Sequence, residues 1–258
     1  MSEAWDEVAW LLAHQLEVPR PCSYLDGETA QLEHLLLRDV DPRELDALLA
    51  RGWRRFGPDY FRPACAACQA CEPLRIPTAT FKARRSQRKA ANRCRRFRRE
   101  VGRPVADADR LALYGKWHAS REAARDWEPA SLKLEDYALT FCGEEATARE
   151  ITWWDDDVAG GPRLVAVGHI DVTPEALSAI YFFYDPEIAH LSPGTANVIF
   201  TVEDAVEQEL EYVYLGFRVR GCPSLRYKGT FGPHEVLEGR PELRSVPRWR
   251  VGVDGEED

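Results

Sequence analysis

Three thiols at a spacing of three, Cys65-Ala-Ala-Cys68-Gln-Ala-Cys71, run directly into Glu72-Pro73-Leu74-Arg75, and no other stretch of this chain has so plain a capacity for chemistry. With Cys22 they supply four sulfur donors, the number that a tetrahedral zinc site or an iron–sulfur cluster takes. The other reading is four reduced, partly buried thiols that pack. Seven cysteines, an odd number, behind the acidic start Met1-Ser-Glu-Ala-Trp-Asp-Glu argue against a disulfide framework and an export signal, and make the cytoplasm the expected compartment. Cys94, Cys142 and Cys222 lack such company and read as packing residues. The six histidines show no paired metal-ligand spacing and are assigned no chemical role.

Positive charge is the second resource. Residues 82–103 hold eleven Lys and Arg and one acid, Glu100, whereas the whole chain is acidic at −9. A localised basic stretch on an acidic protein is the electrostatic footprint of nucleic-acid binding. A solvated helix, or a counter-charge to the acidic remainder, is the alternative.

These groups need elements to hold them. At 258 residues the chain has material for one large domain or two modest ones. No stretch approaches the roughly 18 apolar residues of a membrane span, so no membrane partner is expected. Asp41-Pro42-Arg43-Glu44 carries a helix start, with an N-cap Asp, Pro at the first helical position and Glu at the third, and Gly52 suits the far end. Residues 53–61 read as strand, turn and strand, and 74–81 as a strand between two prolines. Ser86 is the expected cap of the arginine-rich helix. A second helix is predicted over 108–125. The second half changes rhythm: strands over 151–154, 163–172 and 179–184, a helix over 194–210 and a strand over 212–217. Three antiparallel strands, a helix and a strand make a mixed α+β unit. The end of the chain, Gly255-Glu-Glu-Asp, reads as a disordered acidic tail.

Several blocks then coincide in order with one family. They are Pro21-Cys22-Ser23-Tyr24-Leu25; Gly52-Trp53-Arg54-Arg55; Tyr60 through the cysteines to Arg75; Phe81 and Ser86-Gln87-Arg88; Tyr181-Phe182-Phe183-Tyr184-Asp185-Pro186; Tyr214-Leu215-Gly216-Phe217; and Cys222-Pro223-Ser224-Leu225-Arg226-Tyr227-Lys228. Over residues 20–100 and 165–238 the chain resembles the aminoacyl-tRNA–protein transferases, and among them the bacterial aspartate/glutamate leucyltransferases. The resemblance implies transfer of leucine or arginine from charged tRNA to the α-amine of proteins beginning with Asp or Glu, a mark read by N-degron proteolysis. It implies an acetyltransferase-like (GNAT-like) acyltransferase core behind a cysteine-containing N-terminal region. The expected segments are a cysteine- and arginine-rich part at 1–105, a transferase part at 106–250 and the tail at 251–258. At the place of the acyl-CoA pyrophosphate loop stands Leu191-Ser192-Pro193-Gly194-Thr195, which agrees with tRNA as the donor. Phe56 and Pro193 depart from the family pattern on expected pocket walls.

The implied chemistry makes modest demands. The aminoacyl ester is already activated, and an α-amine with a pKa of about 7.7–8.0 is partly neutral at pH 7, so no cofactor is required. Positioning, with a donor to the developing oxyanion, supplies the rate. Within the matched blocks Tyr181, Tyr184 and Asp185 are the candidates at the reacting centre; the alternative is that they close a strand end. A carboxylate acceptor calls for a cation, and Arg54, Arg55, Arg75 and Lys228 are the candidates. Arg54 and Arg55 point to opposite faces of one strand, so only one of them faces the pocket. Lys82, Arg84, Arg85, Arg88 and Lys89 would grip acceptor-stem phosphates. Two other classes compete: a metal-bearing RNA-binding module without activity, and an acyl-CoA N-acyltransferase. Neither the donor amino acid nor the oligomeric state follows from the sequence.

Overall fold

The computed structural model describes residues 10–125, 132–143 and 145–252; residues 253–258 of the expected tail lie outside them. The chain opens with β1 (Trp10–Leu16), β2 (Arg20–Pro21), β3 (Thr29–Ala30) and β4 (Leu32–Arg38), followed by α1 (Pro42–Ala50). Next come β5 (Arg54–Phe56), β6 (Asp59–Pro63), β7 (Glu72–Pro77), α2 (Arg85–Cys94), β8 (Arg98–Gly102), α3 (Ala108–Arg125) and α4 (Leu134–Phe141). A meander follows, β9 (Ala148–Asp155), β10 (Arg163–Val172) and β11 (Ala176–Tyr184), then α5 (Pro193–Glu207), β12 (Tyr212–Arg218) and the short α6 (Pro223–Arg226). β13 (Glu235–Leu237) and β14 (Trp249–Val251) complete the list.

Local signals explain several boundaries. Asp41 accepts from the amides of Arg43 (2.7 Å) and Glu44 (2.9 Å), and Glu44 accepts in return from the Asp41 amide (2.7 Å), a closed capping box. The arginine-rich helix differs from expectation. Arg84, not Ser86, stands at its N-cap, and the Gln87 side chain accepts from the Arg84 amide at 2.8 Å. The strand expected over 74–81 starts two residues earlier and stops at Pro77, where the Thr78 hydroxyl donates to the Leu210 carbonyl (2.6 Å) and turns the chain into a 3-10 segment.

Eight strands form one sheet in the order β14-β13-β7-β12-β11-β10-β9-β8, and four form another, β1-β4-β6-β5. The large sheet draws strands from both sides of the expected 105/106 division, with β7 hydrogen-bonded between β13 and β12. On one face α2 and α5 pack through Ala91, Cys94, Ile199 and Phe200 against Ile76, Trp153, Leu177 and Val213. Elsewhere α3 and α4 bring Leu113, Tyr137 and Phe141 onto Val167 and Phe183. The small sheet and α1 join through Trp53, Tyr60 and Leu48 to Ala176 and Tyr214 of the large one. This is a mixed α/β architecture around a large sheet. No helix among the described residues is long and apolar enough to cross a membrane.

Candidate active site

Strands β11 and β12 run parallel and pair only at Ala176–Tyr212, Leu177–Val213 and Ser178–Tyr214. Beyond Ser178, β11 stays with β10, while β12 continues with β7, so the two strands part. β12 is irregular at this place: its register shifts between Tyr214 and Gly216, and Gly216 has φ +81°. A bulge of this kind re-aims the chain, and a left-handed φ favours glycine. A methyl group on Gly216 would stand 3.4 Å from Lys228 Nζ and 3.6 and 3.7 Å from Arg54 Nη2 and Nε. Two cations therefore face one small space left by the missing side chain.

Arg54 reaches it from β5, where its Nη1 donates to Ser178 Oγ (3.0 Å) and its guanidinium carbon lies 5.6 Å from the Tyr214 ring centre. Arg54 Nη2 is buried and has no hydrogen-bond partner. Lys228 comes from the 3-10 segment Tyr227–Thr230, beside Arg54 and Cys222. Burial, then the charge of Arg54, pushes the Lys228 amine down to about 7; burial takes Arg54 down to about 10. Among the described residues neither cation has an ion-paired carboxylate, which leaves the space strongly favourable to an anion.

The other two expected acceptor-binding cations are engaged. Arg55 points the opposite way, is 6% exposed, and donates through Nε (2.9 Å) and Nη2 to Asp171, which also accepts from Thr147 Oγ1. Arg75 donates to Glu235 (2.7 Å) and lies 3.7 and 4.2 Å from the ring centres of Tyr212 and Trp249.

The expected catalytic trio is not brought together. Tyr181 enters the aromatic cluster of Phe56, Tyr114 and Phe141, with its hydroxyl 3.0 Å from His118 Nε2; burial and Tyr114 make its proton harder to lose. Tyr184 packs with the core on the other face of β11, and its hydroxyl accepts from Arg121 Nη2 at 3.4 Å. Asp185 caps the 3-10 segment Pro186–Leu191 by accepting from the Glu187 amide (3.0 Å), and pairs with Lys116 (2.8 Å) and Arg163 (3.5 Å). Phe56 stacks on Phe61 at 5.5 Å, and Pro193 opens α5 after Ser192, whose φ is +63°.

The arginine run divides. Lys82, Arg84, Arg85, Arg88 and Lys89 are exposed, and Arg85, Arg88, Lys89, Asn92 and Arg93 line an open groove of about 400 Å³ along α2. Farther on, Arg95, Arg96, Arg98 and Arg99 are ion-paired with Glu203, Asp155, Asp156 and Asp204. The helix is tied to the segment that carries Lys228: Gln87 Nε2 donates to the Thr230 carbonyl (3.1 Å), and the Lys82 amide, just before the helix, to that of Gly232 (3.2 Å).

Cys22, Cys65, Cys68 and Cys71 all line one cavity of about 390 Å³. Burial, with Cys65, Cys22, Cys68 and Cys222 nearby, pushes the Cys71 thiol up to about 12. The four thiols thus share one cavity, and among the described residues no three His, Cys, Asp or Glu side chains are gathered as a metal site.

Sequence reasoning passed over Gly216, Ser178 and His118. Gly216 had a readable signal, a glycine inside a strand flanked by aromatic and apolar residues, which marks a bulge or a close approach. Ser178 and His118 had none.

Comparison with known proteins follows this geometry. Residues 20–89 match the family model described as arginine-tRNA-protein transferase, N terminus, and residues 109–238 match the one described as its C terminus. An aspartate/glutamate leucyltransferase of Halorhodospira halophila is 34% identical over 85% of this chain and 91% of its own. One of Campylobacter jejuni is 31% identical over 86% and 91%. Among solved structures, FemX is 9% identical over 79% of each chain at a TM-score of 0.44. With both halves matched in order, the chain belongs to the arginine-tRNA-protein transferase family and is an aminoacyl-tRNA–protein transferase.

Proposed function

We propose that the protein moves leucine from leucyl-tRNA to the α-amine of proteins beginning with Asp or Glu, and so marks them for N-degron proteolysis. The observation that carries the acceptor half is the pair Arg54 and Lys228 around Gly216, two cations without a carboxylate of their own. A β- or γ-carboxylate from the acceptor's first residue completes them, with the Arg54 guanidinium as a fixed donor and Lys228 as a point charge. Leucine as the donor amino acid is supported by the names of the relatives.

The antiparallel meander β9-β10-β11, then α5, then β12 parallel to β11, supports a GNAT-like acyltransferase core. The acceptor stem lies along α2, held by phosphate contacts to Lys82, Arg84, Arg85, Arg88 and Lys89. Tyr184, whose hydroxyl meets Arg121 and which bears on Tyr227, remains the candidate donor to the oxyanion or to the leaving ribose oxygen. Asp185 and Tyr181 act as supports in this reading. The cysteine cavity carries no step; metal analysis and an absorption spectrum of anaerobically purified protein test the zinc and iron–sulfur expectation.

The deciding experiment incubates radiolabelled leucyl- or arginyl-tRNA with peptides starting Asp, Glu, Cys or Ala. Label from leucyl-tRNA on the Asp and Glu peptides is expected, and Lys228→Met is expected to raise their KM at least about tenfold, the scale of a lost charge-assisted bond. Label on the Ala peptide at an equal rate would overturn the acceptor assignment.

A further inference from the structure

We propose that Lys228 is the base that activates the acceptor: its neutral amine takes the proton from the bound acceptor's α-ammonium and then holds the acceptor carboxylate as an ammonium. The proposal rests on the reading of Arg54 and Lys228 as the carboxylate site. The proton moves from one nitrogen to the other, R–NH3+ plus Lys–NH2 giving R–NH2 plus Lys–NH3+, so charge is conserved and no co-reactant is needed. The neutral α-amine then attacks the ester carbonyl; the C–N bond forms, the ester C–O bond breaks, and the proton lost by the attacking nitrogen leaves on the ribose oxygen as its hydroxyl.

Geometry supports the transfer in three ways. Lys228 Nζ and the Arg54 guanidinium lie within 3.4–3.7 Å of one point beside the Gly216 Cα, so they flank the same side of that glycine, and a carboxylate resting against it can touch both. In an N-terminal Asp the amine and the carboxylate branch from neighbouring carbons, which brings the ammonium to Nζ as the carboxylate arrives. Arg54, always charged, can bind but cannot take a proton. That division of labour explains why one cation of the pair is lysine.

The groups around Lys228 favour a neutral amine before the acceptor arrives. Arg54 faces it from β5, Cys222 from the N-cap of α6, and Tyr214, which bears on Arg54, from β12. Arg218 of β12 lies beneath the loop, its Nη1 3.0 Å from where a methyl on Gly229 would stand. The carboxylates nearby are taken up: Asp171, whose charge bears on Arg54, is paired with Arg55, and Glu72 with Arg218; burial with Arg54 holds the Lys228 amine at about 7. The arriving carboxylate reverses the balance and favours the ammonium. An acceptor lacking that carboxylate leaves Lys228 a poor proton holder, so recognition and activation become one event.

Lys228→Arg keeps the charge and removes the base. An ordinary α-amine is about one-tenth neutral at pH 7, so kcat of this variant on an Asp peptide is expected about tenfold below the parent there, with the deficit closing by about pH 8.5. A deficit independent of pH, or none, would overturn the relay. Peptide binding separates the underlying reading: if Lys228→Met and Arg54→Met bind the Asp peptide as the parent does, the carboxylate site itself fails. A measurement on the unaltered protein guards against a misfolded variant. Calorimetry at pH 7 in two buffers counts protons on binding an Asp peptide and its succinyl analogue, which has the carboxylate and no amine. The relay predicts counts differing by about one proton, with the succinyl peptide taking up about half of one, given the Lys228 amine at about 7. Equal counts would overturn it.

Discussion

Arg54 and Arg55 are neighbours in the chain and opposites in circumstance. Arg55 is locked to Asp171, 1% exposed, in a pair that reaches across 116 residues. Removing one partner of such a pair leaves a buried charge uncompensated. Arg55→Ala is therefore expected to cost about 3–5 kcal/mol in urea unfolding. Arg54→Ala, with no carboxylate to orphan, is expected to leave the midpoint near that of the parent while acceptor KM rises. A larger stability loss at Arg54 than at Arg55 would reverse the two roles. The alternation that separates these side chains was readable from a strand's period of two. Which of them serves the acceptor was not, because Asp171 sits on a strand that adjacency in sequence does not reveal. Arg75 was unreadable for the same reason: Glu235, its partner, arrives from β13.

At the level of elements, α2 shows how a run of like charges can hold two different kinds. The helix ends at Cys94, and from Arg95 onward the arginines turn to Glu203 and Asp204 of α5 and to Asp155 and Asp156 near the end of β9. Arg85, Arg88 and Lys89 instead line the open groove. Charge reversal at Arg85 and Lys89 is expected to weaken tRNA binding and to flatten its dependence on salt between about 50 and 200 mM, with peptide KM unchanged once tRNA is saturating. Arg95→Ala and Arg99→Ala are expected to leave tRNA affinity within about twofold, since their charge is already matched. Filter binding across a salt series checks both; equal effects at the two sets would remove the distinction. In the second half β9 to β12 and α5 were readable because their apolar periods are long and regular, whereas α4, α6, β13 and β14 are short and were not expected. The N-cap was not, since Gln87 satisfies the first turn where a serine was expected.

For the whole molecule, the position of β7 decides how the chain folds. It lies between β13 and β12, inside the sheet that the later strands build, and contributes the buried Leu74 and Ile76. A fragment of 106–252 lacks that strand and exposes an open edge on each side of the gap. It is expected to show no cooperative thermal transition alone and to regain one when mixed with 1–105, followed by circular dichroism. Independent cooperative melting of either fragment would count against this. The division into two segments follows family boundaries in sequence, and a sheet ignores such boundaries when its hydrogen bonds are long-range.

The bond from Gln87 to the Thr230 carbonyl joins α2, the helix proposed to hold tRNA, to the short segment that carries Lys228. Gln87 is 4% exposed, so this strut works out of reach of water and transmits displacement without much slack. Its consequence concerns timing. In the proposed reading, a donor gripped along α2 would bear, through this one bond, on the segment that seats the acceptor before any atom is exchanged.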